Sequence, residues 1–99
     1  MDVTKDAEFL NRLVVGIGET AYITGVPQRQ IRYWQEKGII QAAGGDSSSR
    51  RYDYLNIKKI IMVKQLLEDG YTLDAAAAKV AKYSKLLQNA LAKLKEPKR

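Results

Sequence analysis

The chain contains neither cysteine nor histidine. That excludes disulfides, zinc sites built on thiolate or imidazole, and nucleophilic catalysis by Cys or by a His-activated group. Proline occurs only twice, and no stretch approaches the roughly 18 apolar residues of a membrane span. The first 16 residues carry Asp2, Asp6 and Glu8 and lack a long apolar run, so they do not read as a signal peptide. A cytoplasmic protein with no membrane partner is expected. Ser47, Ser48 and Ser49 have no base to activate them, and no glycine-rich phosphate loop follows a strand. The chain therefore does not read as an enzyme, and no cofactor is implied.

What is present suits one small globular domain. The 99 residues are 45% hydrophobic and 28% charged, outside the composition range of disordered chains. A domain of this size buries roughly 60–65% of its unfolded surface, enough for one modest core but not for a large catalytic cleft.

The net charge of +6 points to a polyanion, but most of it sits at one end. Residues 81–99 hold six basic and one acidic residue, a pattern that also fits a solvated Lys-rich helix. The arginines say more. Four of the six fall within 23 residues, as Arg29–Arg32 and Arg50–Arg51, interleaved with Tyr33, Trp34 and Tyr52. Arg is the forked donor suited to phosphate and guanine edges, whereas Lys is a point charge. Ordinary surface charge is the competing reading of these clusters.

Several elements can be read along the chain. Thr4–Val15 has Phe9, Leu10, Leu13 and Val14 spaced as either a short amphipathic helix or a frayed arm. IGETAYITG reads as a short helix closed by Gly25, after which Pro27 suits the first turn of a second helix running to Gly38. Ile31 and Trp34 would face inward from that helix, and the pair forms a helix-turn-helix signature. Ala43 to Ser49 is a loop of small and polar residues. Its flanks, Ile39–Ile40 and Arg51–Tyr52, are expected to pair as a hairpin or wing. Asp53 is a fitting N-cap for a third helix with Leu55, Ile57, Ile60, Ile61, Leu66 and Leu67 on its apolar face. Gly70 ends it, and Thr72 caps a last helix that meets no Gly or Pro before Pro97.

In that last helix Leu73, Ala77, Val80, Ser84, Leu87, Leu91 and Leu94 step by alternating fours and threes, a heptad seam. The seam either reaches beyond its own domain or lies on it, or else the helix breaks near Tyr83–Ser84.

IGETAYITGVPQRQIRYWQEKGII followed by SRRYDYLNIKKIIMVKQLLEDGYTLDAAAAKV resembles the DNA-binding domain of the MerR family of bacterial transcriptional regulators. The match runs from about Ile17 to Val80, and RQIRYW with an apolar lead into IG is most similar to the branch containing the glutamine-synthetase repressor. The resemblance implies a mainly α fold: a winged helix-turn-helix with two additional C-terminal helices. It divides the chain into an arm or short helix (1–16), the DNA-binding domain (17–80) and a basic C-terminal helix or tail (81–99). Pro27 stands where the family usually has a capping Ser, and Trp34 replaces a Tyr whose hydroxyl would face phosphate. The four-Ala run replaces larger apolar residues, so the fourth helix is expected to pack closer.

The expected function is sequence-specific binding of double-stranded DNA in transcription regulation, with a homodimer reading an inverted repeat. Seven residues form the expected interface. Gln28 and Arg29 begin the helix that enters the major groove, and Arg29 can fork onto guanine. Arg32 and Tyr33 match the family's Arg-Tyr pair and grip phosphate. Arg50 ends the wing loop beside the minor groove, and Arg51 and Tyr52 anchor the return strand, with packing as the alternative for Tyr52. Trp34 is expected in the core. Either the C-terminal seam or the N-terminal segment with Phe9, Leu10 and Leu13 would form the dimer contact. The alternative is a protein-interaction adaptor or anti-repressor, partnered by another regulatory protein.

Overall fold

A computed structural model describes Phe9, residues 12–43 and residues 50–95, the side chains at 91, 94 and 95 excepted. In chain order the elements are β1 (Val14–Gly16), α1 (Ile17–Thr24), α2 (Gln28–Glu36), β2 (Arg51–Asp53), α3 (Tyr54–Glu68) and α4 (Leu73–Lys95). The fold is mainly α, a helix-turn-helix followed by a short wing strand and two further helices.

Each helix boundary has a local cause. Thr20 and Thr24 are buried in α1, and their hydroxyls donate backwards to the carbonyls of Gly16 and Thr20, both at 2.8 Å. The Val26 N–H donates to the Thr24 hydroxyl at 3.2 Å, which carries this buried polar line into the turn. Gly25 reverses the chain with φ 74°, a left-handed conformation that side-chain-bearing residues avoid. Pro27 takes the cap position of α2, one residue before the helical turn expected for it, and its carbonyl accepts from Gln30 and Ile31. Asp53 caps α3 by accepting from the Asn56 N–H at 3.0 Å. The Thr72 hydroxyl accepts from the Ala75 N–H at 3.1 Å at the start of α4.

The core draws mainly on α2, β2, α3 and α4. Ile31 and Trp34 enter from α2, Tyr52 from β2, Ile60 and Val63 from α3, and Ala76 and Val80 from α4. Ala76 of the alanine run is fully buried in the core. Of the face expected on α3, Ile60 is buried and Ile57, Leu66 and Leu67 pack against the core, whereas Ile61 is exposed and Asn56 and Val63 are buried in addition. α4 is continuous through Tyr83–Ser84. Among the described residues, no helix is long and apolar enough to cross a membrane.

The wing differs from the expected hairpin. β2 pairs antiparallel with β1, in the register Val14–Asp53, Val15–Tyr52 and Gly16–Arg51. Ile39–Ile40 form no strand; the loop flank touches β2 only at a single bridge between Ala43 and Arg51. The cause is a competing attachment. Ile40 is buried in the core, and the Gln41 N–H donates to Asn56 Oδ1 at 2.8 Å, which ties this segment to α3. Val14 and Val15, expected at the end of a short N-terminal helix or frayed arm, are strand residues. Phe9 and Arg12 are helical, whereas Thr4 and Leu10 lie outside the described residues, as does the wing tip at 44–49.

Candidate nucleic-acid interface

The exposed side of α2 is the largest gathering of the expected site residues. Gln28, Arg29, Arg32 and Tyr33 are all exposed, while Ile31 and Trp34 on the opposite side are buried. At 3.6 residues per turn the four exposed positions span about 140° of the helix circumference. Packing of Ile31 and Trp34 thus fixes which way the cations point. The first turn of α2 has no acidic residue and no side-chain cap, so its leading N–H groups and the positive end of its dipole stay open to an anion.

Contacts within this face sort the side chains. Arg32 Nη2 donates to Gln28 Oε1 at 3.2 Å, so Gln28 engages its neighbour one turn on. The Lys37 ammonium lies 5.8 Å from the Tyr33 ring centroid, which adds a cation beside the aromatic. Arg29 lines a shallow recess with Pro27, Gln30 and Tyr33. That leaves Arg29 with its fork exposed in the first turn of α2.

The wing residues divide. Arg51 is exposed, and strand alternation turns it away from Arg50 and Tyr52. Arg50 is half-buried rather than splayed on a loop, and among the described residues its shielded Nη1 has no hydrogen-bond partner. Tyr52 is fully buried, so it cannot reach a DNA phosphate from this position. Its expected contact is corrected to the packing role. The Tyr52 hydroxyl donates to Gln35 Oε1 at 2.6 Å. Burial pushes that hydroxyl above its ordinary pKa of 10.0, opposed by the positive charge and hydrogen bonding of Arg50 and by the charge of Arg32.

Two polar residues here were not expected from the sequence. Gln35 binds the Tyr52 hydroxyl, and Asn56 spans Asp53 and the Gln41 N–H. The available signal for Asn56 was a polar residue one turn before Ile60 on the apolar side of its helix. Gln35 gave none, because its partner is 17 residues away. Among the described residues, no group of His, Cys, Asp and Glu could hold a metal ion.

Comparison with known proteins bears on the fold as a whole. The family model described as MerR HTH family regulatory protein matches residues 16–82. The HTH-type transcriptional regulator TnrA of Bacillus subtilis (strain 168) is 26% identical over 86 residues, covering 87% of this chain and 78% of that protein.

Proposed function

The chain belongs to the MerR family of helix-turn-helix regulatory proteins and is by that membership a DNA-binding transcriptional regulator, and we propose that it reads double-stranded DNA sequence-specifically, as a homodimer on an inverted repeat. The observation that carries the reading is the exposed Arg29–Arg32–Tyr33 face of α2, held outward by buried Ile31 and Trp34. Arg29 reads a base, because it sits in the first turn of the helix with an unobstructed fork. Arg32, Tyr33 and Arg51 grip phosphate, Gln28 steadies Arg32, and Arg50 contributes charge at the base of the wing. The protein works where the DNA is, in the cytoplasm.

Binding of Arg29→Ala and Arg50→Ala to specific and scrambled duplexes across a salt series tests these assignments. Arg29→Ala should cost about 1–3 kcal/mol on the preferred site and much less on scrambled DNA. Arg50→Ala should weaken both alike and lower the salt slope by about one for each site removed. Equal losses on both duplexes for Arg29→Ala would refute base reading by that residue. The adaptor alternative draws on α1, where Tyr22 and Ile23 are 90% and 56% exposed; it takes over if neither change alters DNA affinity.

A further inference from the structure

The chain passes from the recognition helix into the wing by a short path that is held at each step. The Ile39 N–H donates to the Trp34 carbonyl at 3.0 Å, Ile40 is buried in the core, and the Gln41 N–H donates to Asn56 Oδ1 at 2.8 Å. Two residues on, the Ala43 N–H donates to the Arg51 carbonyl at 2.7 Å, which sets 43 opposite 51 across the wing. In an antiparallel ladder the hydrogen-bonded pairs recur every second residue, so the Gln41 N–H would next meet the carbonyl of Asp53. That carbonyl is already engaged. Asp53 is the N-cap of α3, and an N-cap carbonyl accepts the first bond of its own helix. Asn56, buried in the first turn of α3, supplies the missing acceptor. Its Nδ2 donates to Asp53 Oδ1 at 2.9 Å, which turns its Oδ1 towards Gln41. A side-chain amide thus takes over the rung at which β2 becomes a helix.

We propose that Asn56 is a positioning residue for DNA binding: by holding Gln41, on the first leg of the wing, to the start of α3, it sets where Arg50 and Arg51 stand relative to Arg29 and Arg32 on α2. The proposal rests on the DNA-binding reading and deepens it. The second leg of the wing is fixed independently, by the pairing of β2 with β1. Among the described residues the first leg is tied to it by the Ala43–Arg51 bridge and to α3 by Asn56. Without Asn56 that leg hangs on one hydrogen bond, and the base of the wing can swing. An Asn56 that served stability alone would change the melting temperature and leave the wing's share of DNA binding intact.

The test uses the whole chain and two readouts. The first, amide hydrogen exchange followed by NMR, needs no DNA: the Gln41 N–H should exchange slowly in the wild type. Asn56→Leu, similar in size but without an acceptor, should release it, and Asn56→Asp, which keeps an acceptor, should hold it. The second is duplex affinity across a salt series, at a temperature where melting curves show each protein folded. Asn56→Leu should weaken binding roughly tenfold, the scale of losing one charge-assisted hydrogen bond to phosphate, and should lower the salt slope. In an Arg50→Ala/Arg51→Ala background the same change should have no further effect. Fast exchange at Gln41 in the wild type overturns the proposal whether or not any variant folds. So does full multiplication of the Asn56→Leu loss with that of the arginine pair. If the wild type binds no duplex, the DNA-binding reading fails, while a slow Gln41 amide that depends on Asn56 still supports the clasp.

Discussion

Tyr52 shows how one residue can carry both the fold and the pH response. Burial raises its folded-state pKa above the ordinary 10.0, so folding favours the neutral phenol. The resulting stabilisation is complete below pH 10 and is lost as pH rises through the folded value. The phenolate also has no proton left for Gln35. Wild type should therefore lose melting temperature more steeply above pH 10 than Tyr52→Phe, whose remaining titrating groups are the same. Parallel curves would show that the phenol does not set alkaline stability. At Gly25 the backbone has φ 74°, and an added Cβ would come within 2.9 Å of Lys64 Nζ. That ammonium, at the far end of a flexible side chain, donates to the Thr24 carbonyl at 3.3 Å, so it can retreat only by giving up that bond. Gly25→Ala should cost about 1–2 kcal/mol for the backbone conformation alone, plus the displacement of Lys64. Gly38→Ala has a similar φ of 79° and an empty surrounding. Urea denaturation should accordingly rank Gly25→Ala below Gly38→Ala.

At the scale of elements, legibility follows the range of the interaction. The caps at Asp53 and Thr72 and the reversals at Gly25 and Gly70 are visible in the sequence because each depends on residues within three or four positions. The inward pair Ile31–Trp34 is legible for the same reason. The partner of β2 is not. A three-residue strand has too little alternation to announce itself, and β1 lies 37 residues upstream of its mate. Likewise the burial of Tyr52, whose hydroxyl is bonded to Gln35 of α2, cannot be read from SRRYDY. The local cap carries a local prediction. Asp53→Ala removes the acceptor for the Asn56 N–H and for its side-chain amide, and should cost about 0.5–2 kcal/mol. Asp53→Ser should recover most of it. Thermal unfolding of the three proteins checks the order, and equal stabilities would show that the cap is redundant.

For the whole molecule the question is what α4 does beyond the domain. Its 23 residues extend about 34 Å at 1.5 Å per residue. Ala76, Val80 and Ser84 on the seam side are buried and Leu87 is partly buried, whereas Leu86 beside the seam is 63% exposed. The first half of the seam is thus spent on the protein's own core, and the proposed homodimer would use the second half, where the sequence places Leu91 and Leu94. One recognition helix offers too few base-reading side chains for tight specific binding, and in the proposed homodimer pairing would supply the second half-site. The two copies would each bring the basic 81–99 stretch to the contact, and like charges there repel. Salt screens that repulsion, so self-association should tighten as salt rises while DNA binding weakens, two opposite slopes from one charge distribution. Sedimentation of wild type, of Leu91→Ser/Leu94→Ser and of Phe9→Ser across a salt series measures this. Phe9 probes the N-terminal alternative, since it is 63% exposed. The seam double variant should sediment as a monomer with its melting temperature retained, and Phe9→Ser should remain a dimer. The reverse pattern would place the contact at the N-terminal segment, and a wild-type monomer at tens of micromolar, with and without DNA, would end the dimer reading.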